Sequence, residues 1–212
     1  MAGTVEHLPT VMAVRTPDRV GGAADHPMRH VTHRVAAGEW DDGLKGTVRQ
    51  LFDELASEWH TRDEEGRLDP LVDAIERGGL AGDALVAEVG SGTGLVTPML
   101  TERFPSVVAL DISEEMLRRA PPAPAPRVRA DQAALPLAAR SIDVVAHINA
   151  FLFPAEVDRV LAPNGSVLWV CTRGEHTPIF LTAEEVVAAL PGSWTARTAT
   201  AGAGTWAVAR RS

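Results

Sequence analysis

Apolar and polar positions change period as this 212-residue chain is read. From Leu44 the apolar positions are Leu44, Val48, Leu51, Phe52, Leu55 and Trp59. That three-or-four-residue spacing predicts an amphipathic helix ending near His60. "LDPLVDAIERGG" predicts a second helix, with Asp69 as cap, Pro70 in the first helical position and Gly78-Gly79 as the stop. Beyond it, short apolar runs alternate with amphipathic ones. "ALVAEV" reads as a buried strand. "GLVTPMLTERF" reads as a helix with Pro98 disturbing its early turns, and "SVVALDI" as the next strand. "SEEMLRRA" is a helix capped by Ser113, with acidic residues in its first turn. After the stiff connector "PPAPAP" come two strands, "RVRAD" and "SIDVVAHI". "PAEVDRVLAPNG" is a short helix with a turn, and "SVLWVCT" the fifth strand. "TAEEVVAALPG" is a helix, and "WTARTAT" with "GTWAVARR" closes as a hairpin. Strands alternating with helices predict an α/β fold: a doubly wound sheet, mostly parallel, with an antiparallel C-terminal hairpin.

Residues 1–38 show no clear period. Pro9, Pro17 and Pro27 interrupt them, and four of the seven histidines sit there. A flexible arm, or a lid that orders on binding, is expected. The chain divides into an N-terminal arm or lid over 1–43 and one domain over 44–212, entered by a helical segment 44–80.

Composition narrows the function classes. A hydrophobic share of 45% is ordinary for a globular domain. No apolar run approaches the ~20 residues of a membrane span. The first twenty residues lack a basic start and apolar core, so no secretory leader is expected. The single cysteine, Cys171, excludes an intrachain disulfide framework and a thiolate metal cluster; on its strand it reads as a small buried hydrophobe. A cytoplasmic setting follows as the expectation. The net charge of −8 argues against nucleic-acid binding, which needs a basic surface, but leaves room for a small anionic substrate held by one or two arginines. The absence of Tyr, with many Ala, Pro and Arg residues, has the look of a GC-rich bacterial genome.

The chemistry concentrates in "VAEVGSGTGL", residues 86–95. A strand that stops at Gly90 and turns into a helix exposes backbone N–H groups at the turn. Gly90, Gly92 and Gly94 keep side chains away, so a ligand can approach the backbone. A dinucleotide site is built on G-x-G-x-x-G. Here the sixth position is Leu95, the pattern is G-x-G-x-G, and Glu88 precedes it. An acid beside the loop repels pyrophosphate and suits a cationic ligand. The next strand ends in Asp111, a carboxylate placed to bind a ribose hydroxyl pair.

"VAEVGSGTG", "VVALDIS", "ADQAALPLAARSIDVV" and "VLAPNGSVLWV" together resemble the class I S-adenosylmethionine-dependent methyltransferases, small-molecule branch. The resemblance covers about residues 45–212 and implies a Rossmann-like fold with an N-terminal helical lid. Where the family usually has L-K-P-G-G, this chain has Ala162 and Asn164; Asn is expected to take the left-handed conformation there. The resemblance implies roles by position. Glu88, Gly90, Ser91, Gly92 and Gly94 would face the methionine part. Asp111 would hold the ribose, with Ile112 against the adenine, and Met116 would also touch the cofactor. Asp131 would meet the adenine amino group, with Gln132 beside it. In "FDELASEWHTR", Trp59 would pack near the sulfonium and Arg62 would pair with the cofactor carboxylate.

Several residues carry two readings. The glycine loop could be a bare strand–helix turn, Asp111 a helix cap, Asp131 a surface acid and Trp59 plain core. His147, at the end of the fourth strand, reads as a general base or as a hydrogen-bonded core histidine, and Asn149 as a group orienting cofactor or substrate. His176, in the loop after the fifth strand, is the other candidate base, and Arg173 beside it could hold a substrate carboxylate or phosphate. His26, His30 and His33 share a helical face, but a solvated arm is expected there and no metal. The function expected is methyl transfer from S-adenosylmethionine to an O, N or C atom of a small metabolite, in bacterial secondary metabolism, by a monomer or homodimer acting without nucleic acid or membrane. A non-catalytic S-adenosylmethionine-binding or regulatory protein and a nicotinamide oxidoreductase stand as alternatives.

Overall fold

The computed structural model describes residues 3–16, 25–62, 64–122 and 124–212, with the Arg62 side chain outside that set. Among them runs one eight-stranded sheet. Its strands in chain order are β1 (Thr4–His7), β2 (Leu85–Val89), β3 (Ser106–Asp111), β4 (Arg127–Arg129), β5 (Ile142–Ile148), β6 (Leu161–Cys171), β7 (Trp194–Ala201) and β8 (Gly204–Arg211). They lie in the order β1-β7-β8-β6-β5-β2-β3-β4. Only β8 is antiparallel to its neighbours. From β2 the chain steps outward through β3 and β4, then returns to place β5 on the other side of β2. That reversal puts a crevice at the carboxyl ends of β2 and β5, where open α/β sheets hold ligands.

The helices are α1 (Pro27–Ala36), α2 (Asp42–Leu55), α3 (Asp69–Arg77), α4 (Thr97–Arg103), α5 (Glu114–Arg119), α6 (Pro154–Val160) and α7 (Ala183–Ala189). Successive strand residues point to opposite faces, so Ala87 and Val89 enter one apolar cluster while Val86 enters the other. No helix of the described residues is long and apolar enough to cross a membrane.

The structure adjusts the expected boundaries. Asp69 is the first residue of α3 and not its cap; Leu68 holds the cap position without a side-chain bond. Pro98 lies in the first turn of α4, where its missing N–H is harmless, so it opens the helix and does not disturb it. "APNG" lies inside β6 as a bulge: pairing passes from Ile142–Leu161 to Val144–Ser166, five steps on β6 against two on β5. Gly165 permits this close approach, since a Cβ there would lie 2.8 Å from the Leu161 side chain. Asn164 is not among the described residues with positive φ. The N-terminal arm contains ordered elements: β1 adds an edge strand beside β7, and α1 buries Thr32 and Val35.

α7 begins with a capping box. Thr182 Oγ1 accepts from Glu185 N at 3.2 Å, and Glu185 Oε2 accepts from Thr182 N at 2.7 Å. Thr182→Ala should cost about 1 kcal/mol, lowering the melting temperature by about 2–4 °C. An unchanged melting curve would mean that water replaces the cap without loss.

Candidate active site

β2 delivers Glu88 and the glycine bend to the crevice. Gly90, Gly92 and Gly94 all have positive φ, at 71°, 57° and 74°, which a residue with a Cβ adopts only at a cost. At Gly90 a Cβ would also lie 2.7 Å from Ala150 Cβ. The bend is tied to the end of β3: Gly90 N and Ser91 N donate to Leu110 O at 2.8 and 3.1 Å.

Asp111 ends β3 and braces the same bend. Its Oδ2 accepts from Gly92 N at 2.7 Å and its Oδ1 from Ser113 N at 2.8 Å. Burial raises its pKa, working against these backbone donors, and Asp53 nearby adds negative charge. Asp53 belongs to α2 and accepts from Ser113 Oγ at 2.5 Å, which fixes α2 over the bend. Glu88 is buried and accepts from Thr97 Oγ1 at 2.7 Å. Desolvation pushes its pKa up to about 7, and the neighbouring Asp111 charge pushes the same way.

The cleft over this bend measures about 790 Å³ with its mouth. Of the residues singled out in the sequence, Trp59, Glu88, Gly90, Ser91, Gly92, Asp111, Ile112, Met116, Gln132 and Asn149 line it. Gln132, with its amide turned to satisfy both neighbours, accepts from Gly90 N at 3.0 Å and donates to Phe151 O at 3.3 Å. Asn149 has φ 53°. Its side chain binds Thr172, donating to Oγ1 at 2.8 Å and accepting from N at 2.9 Å, and so clamps the ends of β5 and β6 together.

Others are elsewhere. Asp131 turns to the lid: its Oδ1 accepts from Trp40 Nε1 at 3.1 Å, and its Oδ2 lies 3.6 Å from Lys45 Nζ. Gly94 supports the bend without lining the cleft. His147 is enclosed against Trp169, with Nδ1 3.0 Å from Phe151 O. Burial pushes its pKa down to about 4, and it lines neither cavity beside the bend. His176 sits in a short 3-10 turn, Gly174–His176, and also lines neither cavity beside the bend. The proposed pairing of Arg62 lies outside the described residues.

The sequence reading missed Trp40, Phe52, Arg67, Phe151, Phe153 and Ile179 as cleft walls. Trp40 lay between the stretch without period, 1–38, and the helix read from Leu44, and its indole was the one signal there. Arg67 sits between Trp59 and α3, where only its charge could have marked it. A second cavity of about 1050 Å³, open to solvent, adjoins the first and shares Phe52, Trp59, Arg67, Asn149 and Ile179 with it.

Residues 87–169 match the family model for a methyltransferase domain. No curated protein matches the chain. Among solved structures, the chain is similar to DhpI in complex with SAH, at 21% identity and TM-score 0.64, covering 81% of this chain and 98% of that one. It is also similar to a SAM-dependent methyltransferase from Aquifex aeolicus, at 20% identity and TM-score 0.60, covering 73% and 96%. Against a Haloferax volcanii methyltransferase solved with its Trm112 activator, identity is 21% and TM-score 0.49, covering 56% of this chain. The chain spans 59% of the length of that methyltransferase.

Proposed function

We infer that this chain, a member of the class I S-adenosylmethionine-dependent methyltransferase superfamily by its fold and its matched domain, binds S-adenosylmethionine at the glycine bend and methylates a small molecule in the adjoining cavity. One observation carries the reading: two buried acids, Glu88 and Asp111, flank a bend stripped of side chains, inside a cleft walled by aromatic and aliphatic groups. Buried carboxylates with raised pKa values are stabilised by a cation. The cofactor brings an ammonium and a sulfonium. A pyrophosphate would add charge of the wrong sign, which disfavours the nicotinamide alternative.

The donor set fits the group. Ser91 Oγ is buried in the cleft wall with no hydrogen-bond partner among the described residues. The Cβ absent from Gly92 leaves room 3.5 Å from Trp59 Nε1. In this reading Glu88 receives the ammonium. Asp111 keeps lone pairs for the ribose hydroxyls while its other lone pairs hold the bend. Ile112 and Met116 flank the adenosine, and Trp59, held edge-on by Phe52 at 5.6 Å between centroids, flanks the sulfonium. The cofactor supplies an activated methyl group with a neutral leaving group. What remains for the protein is alignment and exclusion of water. Neither His147 nor His176 reaches the cleft, so no base is assigned to them. The second cavity favours catalysis over a purely regulatory role, because a binding protein has no need of a substrate compartment.

Titration calorimetry with S-adenosylhomocysteine tests the assignment. Asp111→Asn removes the charge but keeps one acceptor, and should weaken binding by roughly tenfold or more. Equal affinity in both proteins would remove the ribose contact.

A further inference from the structure

The second cavity has its own chemistry. Its apolar walls include Leu51, Leu55, Phe52, Trp59, Pro178 and Ile179. Into this apolar space comes the guanidinium of Arg173, only 15% exposed. Its Nε donates to Glu64 Oε1 at 2.8 Å. Its two terminal nitrogens donate to no described residue, so the bidentate fork, the face that suits a carboxylate, is open. His26 lines the same cavity, and its Nδ1 accepts from Met28 N at 3.1 Å. That bond places the ring proton of the neutral histidine on Nε2, making it a second donor and not a base. Arg67 also lines the cavity, and no Asp, Glu, Lys or Cys is among the described residues that do. The compartment thus offers hydrogen-bond donors, aliphatic and aromatic walls, and nothing placed to take a proton.

We propose that this cavity binds a small apolar carboxylic acid through the free fork of Arg173 with help from His26, and that the carboxylate oxygen is the methyl acceptor. The proposal rests on the methyltransferase reading above. An ionised carboxylate is a nucleophile that needs no base. One oxygen forms the O–CH3 bond with a lone pair as the S–CH3 bond breaks; the bonding pair stays on sulfur, which becomes neutral, and no proton moves. The product is a methyl ester. Arg67, Asn149, Thr172 and Thr177 add polar groups to the wall, but the aliphatic and aromatic side made by Leu51, Phe52, Leu55 and Trp59 suits the apolar body of a singly charged carboxylic acid better than a compact, strongly hydrated phosphate.

The test uses phenylacetate and octanoate, with phenethyl alcohol and octanol as uncharged counterparts. Binding is measured by calorimetry on the full chain with saturating S-adenosylhomocysteine, and products by mass spectrometry with S-adenosylmethionine. At least one acid should bind roughly tenfold or more tighter than its alcohol and yield a methyl ester. Arg173→Met should erase that preference while leaving alcohol binding unchanged. Glu64→Gln, which removes the competing carboxylate, should strengthen acid binding several-fold, and it decides the matter if Arg173→Met does not fold. If S-adenosylhomocysteine binds but acids show no preference over alcohols, the proposal fails and the methyltransferase reading survives. Inorganic phosphate binding as tightly as the acids, or methylation of the alcohols alone, also overturns it. If acids bind in the Arg173-dependent way but S-adenosylhomocysteine does not bind, the anion site stands, and the methyltransferase reading falls together with the ester-forming step.

Discussion

Binding of S-adenosylhomocysteine should weaken by up to about 100-fold when the pH is lowered from about 8 to about 5, because Glu88 must lose a proton to receive the ammonium. Desolvation holds the Glu88 pKa at about 7 in the free protein. A cation in the cleft favours the ionised form and draws the pKa down, so binding releases up to one proton below about pH 7 and almost none near pH 8. Calorimetry in buffers of different ionisation enthalpy measures that release directly. In Glu88→Gln the affinity should be low at every pH and nearly flat. A steep pH dependence that persists unchanged in Glu88→Gln would assign the proton to another group.

The same residue makes an opposite prediction for stability. An acid whose folded pKa lies above its unfolded value is protonated in the folded state while the unfolded chain has already ionised. Free-protein stability therefore falls as pH rises from about 4.5 to about 7, by roughly 3 kcal/mol, and stays lower above that. Glu88→Gln should be more stable than the parent at neutral pH and weaker in cofactor binding. A variant that loses both properties would show that Glu88 is a packing residue.

The largest stability effect is expected at Asp73, far from the chemistry. This carboxylate is 1% exposed. It accepts from Arg77 Nε and Nη2 at 2.7 Å each and from Trp206 Nε1 at 2.7 Å. Arg77 in turn donates to Pro9 O at 2.9 Å, so one ion pair joins α3, β8 and the N-terminal stretch. Asp73→Ala leaves a guanidinium without its counter-charge and a buried indole N–H without an acceptor. It should cost about 3–5 kcal/mol and lower the melting temperature by about 6–20 °C. Asp73→Asn retains an acceptor and should cost less. Although burial opposes it, bonding to Arg77 and Trp206 holds the Asp73 pKa below the usual carboxylate value. Its contribution is therefore present above that ordinary value and is lost as pH falls through the lowered one. Thermal melts from about pH 6 to about pH 2 should show Asp73→Ala losing less stability on acidification than the parent; parallel curves would mean that the pair contributes nothing net.

The sequence carried the parts of this protein that obey local rules. The alternation of apolar runs predicts the doubly wound sheet, because strand and helix periods differ in any short window. The G-x-G-x-G spacing predicts the bend, because three positive φ values can hardly be reached otherwise. Asp111 at the end of β3 follows from the length of one crossover. What only the tertiary structure decided depends on groups far apart in the chain. β1 pairs with β7 across nearly the whole sequence. Asp131 turns toward Trp40 and Lys45 because α2 brings the Lys45 ammonium to it and the residue just before the α2 cap brings the Trp40 indole. His147 sinks into the core against Trp169, although its place at a strand end suggested a ligand. The open fork of Arg173 depends on a single carboxylate, Glu64, over a hundred residues earlier. Backbone conformation is set by near neighbours and can be read from spacing. The direction and charge state of a side chain are set by whatever packs against it, and packing is a property of the folded chain.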